Sequence, residues 1–327
     1  MRNVLVTGGT GFIGSNLAAA LVREGHNVRI LRRASSDLRA TGSIDADYII
    51  GDVRDPDSVR KAIKGCDTVF HVAALVSYWK RRRQELYDIN VGGTANIVQA
   101  CLEYGIEKMV HTSSVAAVGF AGNRVLANEL TEFNWDAHDV GYRISKSRAE
   151  REVLRGVERG LPAVIVNPSV VVGERDLHFN GGQIIRDVYR KRIFYDVRGG
   201  FSIVYVGDVV KGHLEAARRG RIGQRYILSG ENLTHREILS ITADVVGGFK
   251  PLFRLPLWMT KGLAAASESF GNLANRKPWI TRELVAGIGL TVWFSCEKAK
   301  RELNYSVTPF RTAVRRTFEW YRNEQML

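Results

Sequence analysis

The chain has 327 residues, 45% hydrophobic and 25% charged, which is enough to bury a large core and divide into two lobes. Lys and Arg number 47 against 34 Asp and Glu, so the formal charge is +13, which suits an anionic ligand or an acidic surface. Cys66, Cys101 and Cys296 lack disulfide or metal-ligand spacing, and no zinc-finger or RNA-binding signature accompanies the dispersed basic residues, so neither a metal nor a nucleic-acid partner is expected.

In chain order, Val4-Leu5-Val6 reads as a short strand buried on both faces. Thr7 ends it, and Gly8, Gly11 and Gly14 lead into an Ala-rich helix over Phe12–Arg23. A strand, a Gly-rich turn and a helix N-terminus make an anion site, because unpaired backbone N–H groups and the positive end of the helix dipole face the same point. The spacing is G-x-x-G-x-x-G, and its position after the first strand favours a dinucleotide over tight packing alone. Strands follow at Val28–Leu31, Tyr48–Ile50 and Thr68–Ala74, with Pro56 starting a helix between the last two. Lys80-Arg81-Arg82-Arg83 reads as a solvated loop. Gln84–Tyr104 has helical periodicity, with an interruption expected at Gly92-Gly93. Lys108–Thr112 is a fifth strand, Val140–Arg159 a long helix and Ala163–Asn167 a sixth strand. This alternation predicts an α/β fold with a parallel sheet covered on both faces.

Past Pro168 the alternation decays. Phe201–Val206 and Asp208–Arg218 read as a strand and helix returning to the sheet. The rest reads as a small strand from Arg225 and helices near 234–246, 257–274, 297–303 and 309–323. The 257–274 segment has two open readings, a lobe-packing helix or an amphipathic helix at a membrane surface or dimer contact. The first strand begins almost at Met1 and no apolar run approaches about 18 residues, so the expectation is a cytoplasmic protein with neither signal peptide nor membrane span.

Tyr142 and Lys146 lie four apart on the long helix and so share a face. A phenol titrates near 10; an ammonium about 4 Å away at an effective dielectric near 20 is worth about 4 kcal/mol, or about 3 pKa units. Such a pair is expected to bring the tyrosine close to neutral pH. Ser113 and Ser114 end the fifth strand at the carboxyl edge, where open α/β sheets bind ligands. The second strand ends in Arg32-Arg33 where an NAD enzyme is expected to carry Asp or Glu. A guanidinium pairs with a 2′-phosphate, so NADP(H) is expected over NAD(H).

Together, T-G-G-T-G-F-I-G at 7–14, G-D-V at 51–53, H-V-A-A at 71–74, N-V-G-G-T-A-N at 90–96, T-S-S-V at 112–115, Y-R-I-S-K at 142–146, N-P-S-V-V-V-G at 167–173 and Y-V-G-D-V at 205–209 resemble the extended short-chain dehydrogenase/reductase superfamily, in its epimerase/dehydratase branch. The 220–234 segment is similar to a narrower group labelled dihydroflavonol-reductase-like or hopanoid-associated sugar epimerases. The resemblance implies a Rossmann-type doubly wound parallel sheet over 1–168, with 202–222 returning to it, and a smaller, mostly helical substrate lobe over 169–327. It also implies that Gly8, Thr10, Gly11, Phe12, Ile13 and Gly14 hold the pyrophosphate, that Asp52 and Val53 flank the adenine, and that Ala73 and Ala74 line the nicotinamide-side strand. Ser114 matches the catalytic serine and Tyr142 the proton donor or acceptor. The resemblance further implies that Lys146 lowers the tyrosine pKa and holds the nicotinamide ribose. By the same resemblance Asn167 and Pro168 fall where the family's chain passes the nicotinamide, and Asn90 matches a helix position behind the active site.

Sugar-nucleotide epimerases of the superfamily carry an R-D-F-type segment before the strand matching Tyr205, where this chain has Arg198-Gly199-Gly200-Phe201. The first expectation is therefore an NADPH-dependent reductase of an aldehyde, ketone or flavonoid-like carbonyl. An epimerase or dehydratase with tightly bound NAD is second, and a non-catalytic cofactor-binding regulator third. A small-molecule substrate and, from the family, a homodimer are the expected partners. Ser77, Tyr78 and Trp79 have two open readings, lining of the substrate pocket or packing.

Overall fold

A computed structural model describes residues 1–122 and 124–327. Seven parallel strands form the main sheet: β1 (Asn3–Thr7), β2 (Asn27–Arg32), β3 (Asp47–Ile50), β4 (Thr68–His71), β5 (Lys108–Thr112), β7 (Ala163–Pro168) and β11 (Arg225–Leu228), the two-residue β6 (Leu126–Ala127) lying elsewhere. Their order is β11-β7-β5-β4-β1-β2-β3. The chain winds outward from β1 to β3 and then crosses back to β4, so the switch point opens a crevice between the carboxyl ends of β1 and β4.

Side-chain alternation explains why these strands read as continuous apolar runs. Val4 and Val6 point to one face with Ile30, Phe70, Val110, Val164 and Val166, while Leu5 points to the other with Leu31, Val69, Met109 and Ile165. Helix α1 (Phe12–Arg23) covers the first face through Leu17, Ala18 and Leu21. Helices α2 (Pro56–Ile63), α4 (Gly93–Glu103) and α5 (Gly141–Glu158) cover the second, and the short α3 (Arg83–Tyr87) leads into α4. Asp55 caps α2 by accepting from Asp57 N–H, with Pro56 in the first turn as expected.

The interruption expected at Gly92-Gly93 is present as a change of helix type, not as a stop. The helix continues from α3 to α4 through a π turn at Asp88–Gly92, and a Cβ at Gly93 would lie 2.7 Å from the Val53 side chain. Glycine there lets the helix approach the chain after β3 rather than stop. Strand β4 is shorter than expected: past His71 the Val72 N–H reaches the Thr7 carbonyl, and the Ala73 N–H bonds the Thr7 side chain instead of its backbone.

The second half departs further. Strand β10 (Gly200–Tyr205) does not rejoin the main sheet. With β8 (Val170–Val172), β12 (Glu231–Thr234), β14 (Thr291–Phe294) and β6 it builds a second, five-stranded sheet, and β9 (Tyr195–Asp196) pairs with β13 (Phe253–Arg254) apart from both. The strand that joins the main sheet is β11, paired in parallel with β7. After α6 (Gln183–Tyr189), α7 (Val206–Arg219) does return, placing Val209, Val210 and Leu214 on the first face. Helices α8 (His235–Val246), α9 (Leu257–Leu273), α10 (Arg282–Val285), α11 (Glu297–Leu303) and α12 (Phe310–Asn323) complete the chain, and α6, α8 and α12 pack on the second sheet.

Candidate active site

The glycine turn is shaped by close approach. Gly8 has φ +68°, and a Cβ on it would lie 2.7 Å from the Ala73 backbone. A Cβ on Gly14 would collide with the Gly8 carbonyl oxygen. Gly11 caps α1 with its own N–H bonded to Gly8 O at 2.9 Å, and no side chain caps the helix or places an acid in its first turn. The N–H groups of Phe12, Ile13 and Gly14 thus have no intrahelical acceptor, beside a surface where backbone can touch backbone. This cradle fits the diphosphate bridge of a dinucleotide, and Thr10 lies in the same turn.

Ser114, Tyr142 and Lys146 come together at the same edge of the sheet. Ser114 begins a 3₁₀ turn in which its hydroxyl accepts from Ala116 N–H at 3.1 Å. Tyr142 is buried at the start of α5, with the Tyr78 ring edge-on at 5.6 Å. Burial pushes its phenol above the usual range, the nearby Tyr78 adds to the rise, and a hydrogen bond with Ser114 opposes it. The expected depression of Tyr142 by Lys146 is absent. Lys146 Nζ instead donates to the Thr112 carbonyl at 2.8 Å, and its own pKa is lowered by burial to about 8, against an opposing pull from Glu150.

Two groups that the sequence reading left out of the catalytic set hold this arrangement. Asn167 Nδ2 donates to the Ser114 carbonyl at 2.9 Å and to Glu150 Oε1 at 2.6 Å. Glu150 is buried one turn beyond Lys146, with Arg225 Nη1 at 3.5 Å from its other oxygen. Burial raises its pKa, against Ser113, Arg225, Asn167 and Lys146. The i,i+4 spacing from Lys146 was the available signal, but the burial that gives it meaning comes only with the fold. Ser113 faces this carboxylate, which separates its role from that of Ser114.

His71 is the second such group. Thr94 Oγ1 donates to the Asn90 carbonyl at 2.6 Å, so it can only accept from His71 Nε2–H at 3.0 Å. His71 Nδ1 therefore accepts from the Thr7 hydroxyl at 2.8 Å, and Thr7 accepts from Ala73 N–H. Asn90 continues the path, donating to Ser145 Oγ at 2.9 Å, which donates to the Tyr142 carbonyl. It also exchanges two hydrogen bonds with Leu75. The Gly-loop side of the crevice and the helix bearing Tyr142 are thus joined by one buried polar chain. His71 stays neutral, its pKa lowered to about 3 by burial and by the Lys146 charge.

The remaining expected residues lie along the same edge. Arg32 ends β2 half-buried with its Nε unpartnered, and Arg33 is exposed, its backbone N–H bonded to Ser36. Neither guanidinium has an ion-pair partner among the described residues. Asp52 forms an ion pair with Arg54 at 2.7 Å, while buried Val53 packs against Gly93. Ala73 lies against Gly8, Ala74 is exposed, and buried Asn167 and Pro168 end β7. Among the described residues, no three His, Cys, Asp or Glu side chains gather as a metal site.

A glycine cradle at a parallel-sheet switch point, beside a buried tyrosine and lysine, defines a nicotinamide-dinucleotide enzyme. The chain belongs to the NAD dependent epimerase/dehydratase family, whose model matches residues 4–229, and it is an NAD(P)-dependent oxidoreductase of the extended short-chain dehydrogenase/reductase type. It is 35% identical to a putative dihydroflavonol 4-reductase of Synechocystis sp., over 97% of this chain and 94% of that one. It is 31% identical to a 4-hydroxy-2-methyl-3-oxo-4-farnesyl-3,4-dihydroquinoline-1-oxide ketoreductase of Stigmatella aurantiaca, over 92% and 91%. The crystal structure of gox2253 superposes with a TM-score of 0.87 at 38% identity, covering all of both chains.

Proposed function

We propose that this enzyme is an NADPH-dependent carbonyl reductase acting on an aldehyde, ketone or dihydroflavonol-like carbonyl. The observation that carries the reading is the buried Tyr142 phenol, with Ser114 beside it and its pKa raised rather than lowered. A phenol that keeps its proton at neutral pH is poised to give it to a carbonyl oxygen as that oxygen gains charge. Ser114 orients the oxygen and steadies the phenolate left behind. Lys146, half-protonated near pH 8 and bonded to the Thr112 carbonyl, brings positive charge to this edge of the sheet and holds the ribose hydroxyls. When bound, the nicotinamide supplies the hydride; Gly8, Thr10, Gly11, Phe12, Ile13 and Gly14 hold its diphosphate. Asp52 and Val53 flank the adenine, and Ala73, Ala74, Asn167 and Pro168 line the nicotinamide end. The reductase names of two similar relatives favour the same direction.

The preference for the 2′-phosphate rests on Arg32 and Arg33, two guanidiniums without ion-pair partners at the end of β2. Turnover with NADPH and NADH tests it. Wild type is expected to prefer NADPH, and Arg32→Ala or Arg33→Ala to raise its KM about 10–100-fold while leaving NADH use unchanged. Wild-type preference for NADH contradicts the assignment.

Epimerisation with tightly held NAD is the second reading, and Asn167 favours it. Its Nδ2 is occupied within the protein, but its buried Oδ1 has no partner and can accept from a polar ligand. The cofactor that survives purification separates the two: exchangeable NADP(H) supports reduction and retained NAD supports epimerisation. A homodimer through α4 and α5, which expose Leu154 and, at the α4 end, Tyr104, is part of the proposal. Light scattering of wild type and Leu154→Arg tests it.

A further inference from the structure

We propose that the outward face of α9 docks this protein on an anionic lipid bilayer. The helix buries only a narrow stripe, Thr260, Ala264, Glu268 and Gly271. Its opposite face repeats Met259, Leu263, Ala266, Phe270 and Leu273 at i, i+4, i+7, i+11 and i+14, the spacing of a core-facing helix turned toward solvent. Phe270 is 71% exposed and Leu273 88% exposed, and Trp258 and Trp279, just inside its start and beyond its end, are 74% and 73% exposed. Single exposed apolar residues need no explanation, but a continuous stripe bracketed by tryptophans does.

The charges on this region choose the occupant. Lys261, Arg276 and Lys277 are exposed and have no ion-pair partner among the described residues. The only carboxylates over 257–284 are turned inward: Glu268 accepts from Arg282 N–H at 3.1 Å, with the Arg282 guanidinium 4.0 Å away, and Glu283 binds Arg83 and Gly141 N–H. A cleft of about 300 Å³ between α9 and α10 is lined by Lys261, Arg282, Val285 and Ala286, two cations over an apolar floor. Apolar surface with tryptophans at its margins and unpaired cations on its rim matches the boundary of an anionic bilayer, where burial and surface charge act together. A second copy of this chain is a poorer match, since a two-fold contact would set these cations against themselves on two molecules that each carry +13. No helix among the described residues is long and apolar enough to cross a membrane, so the contact lies along the surface.

The docking face is tied to the catalytic crevice. Asn272 on α9 accepts from Trp79 Nε1 at 2.9 Å, and the neighbouring Tyr78 meets Tyr142. Glu283 caps the start of α5, which bears Tyr142. A protein seated this way holds the mouth near Tyr78 close to the lipid.

Co-sedimentation of the full chain with phosphatidylcholine vesicles, with and without phosphatidylglycerol, tests the proposal, with tryptophan emission as a second readout. Wild type is expected to bind the phosphatidylglycerol vesicles with a blue shift. Binding should weaken about tenfold or more in Arg276→Glu/Lys277→Glu, and disappear in Leu263→Ser/Phe270→Ser/Leu273→Ser. The serine variant alters exposed side chains only, and an unchanged melting temperature verifies its fold. Failure of wild type to bind, or full binding by the serine variant, overturns the proposal. So does light scattering in which the serine changes split a wild-type dimer, which would assign this face to a second copy.

Discussion

The crevice at the carboxyl edge of the main sheet and the outward face of α9 lie within a few residues of each other, yet they are built on opposite terms. In the crevice the groups that hold the catalytic residues have partners within the fold. Lys146 has a carbonyl, Asn167 has two acceptors, and His71 has a hydroxyl on each nitrogen. On α9 the exposed apolar residues have no protein neighbours to account for them. The contrast teaches that the chemistry is fixed by interior packing, whereas access to it is governed by a surface that the fold leaves uncovered. Substitutions in the first region should therefore cost catalysis, and substitutions in the second should cost location alone.

Tyr142→Phe is the sharpest break. It removes only the acid hydroxyl, so kcat should fall about 10²–10⁴-fold with dinucleotide binding intact, as single-turnover kinetics and fluorescence titration would record. Gly14→Val comes next. Its side chain meets the Gly8 carbonyl, so the turn must open, at about 1–3 kcal/mol in stability and with loss of dinucleotide affinity. Calorimetry and cofactor titration measure both, and unchanged binding would contradict the cradle.

The pH profile gives a smaller effect. Lys146 titrates at about 8, so activity that needs its charge should decline above that pH. Glu150→Gln removes the carboxylate that holds the Lys146 pKa up, so this alkaline limb should move to lower pH, with a loss of several-fold in kcat. A purely structural Glu150 would lower the melting temperature and leave the limb in place. The same group sets a stability slope. Because the folded pKa lies below the unfolded value near 10.5, the unfolded chain binds more protons between about 8 and 10.5, and stability should rise with pH over that window. Lys146→Met should remove the slope, as urea melts across this range would show. Smallest of all, Leu263→Ser/Phe270→Ser/Leu273→Ser should leave turnover of a water-soluble carbonyl within about twofold of wild type, so a large loss would erase the division between the two regions.

Much of the first half could be read from residues because its strands are buried on both faces and each ends in chemistry with a fixed place. Val4–Gly14, Thr112–Ser114 and Tyr142–Lys146 fall where the sheet edge requires them. The second half was harder to read because its strands are short and pair far along the chain. Phe201–Val206 looks like any buried strand, and only the pairing of Ile203 with Val170 and of Phe201 with Val292 assigns it to a second sheet. The Lys146 ammonium was placed near the tyrosine by helix spacing, but spacing does not show the Thr112 carbonyl that it bonds. Glu150, despite its spacing from Lys146, and His71 escape notice for the same reason: a titratable residue in a helix or strand gains its role from burial and partners, neither of which has a local signature. The α9 segment carried its apolar period openly, but not the direction in which that face points.

Isotope tracing tests the central claim most directly. The enzyme is given NADPH carrying deuterium at C4 of the nicotinamide, together with a panel of carbonyl compounds and sugar nucleotides. Deuterium is expected in a product alcohol, with one NADPH consumed per alcohol formed, and both at a rate about 10²–10⁴-fold lower with Tyr142→Phe. Conversion of a sugar nucleotide with no NADPH consumed and no deuterium gained, on NAD that stays bound, would contradict it.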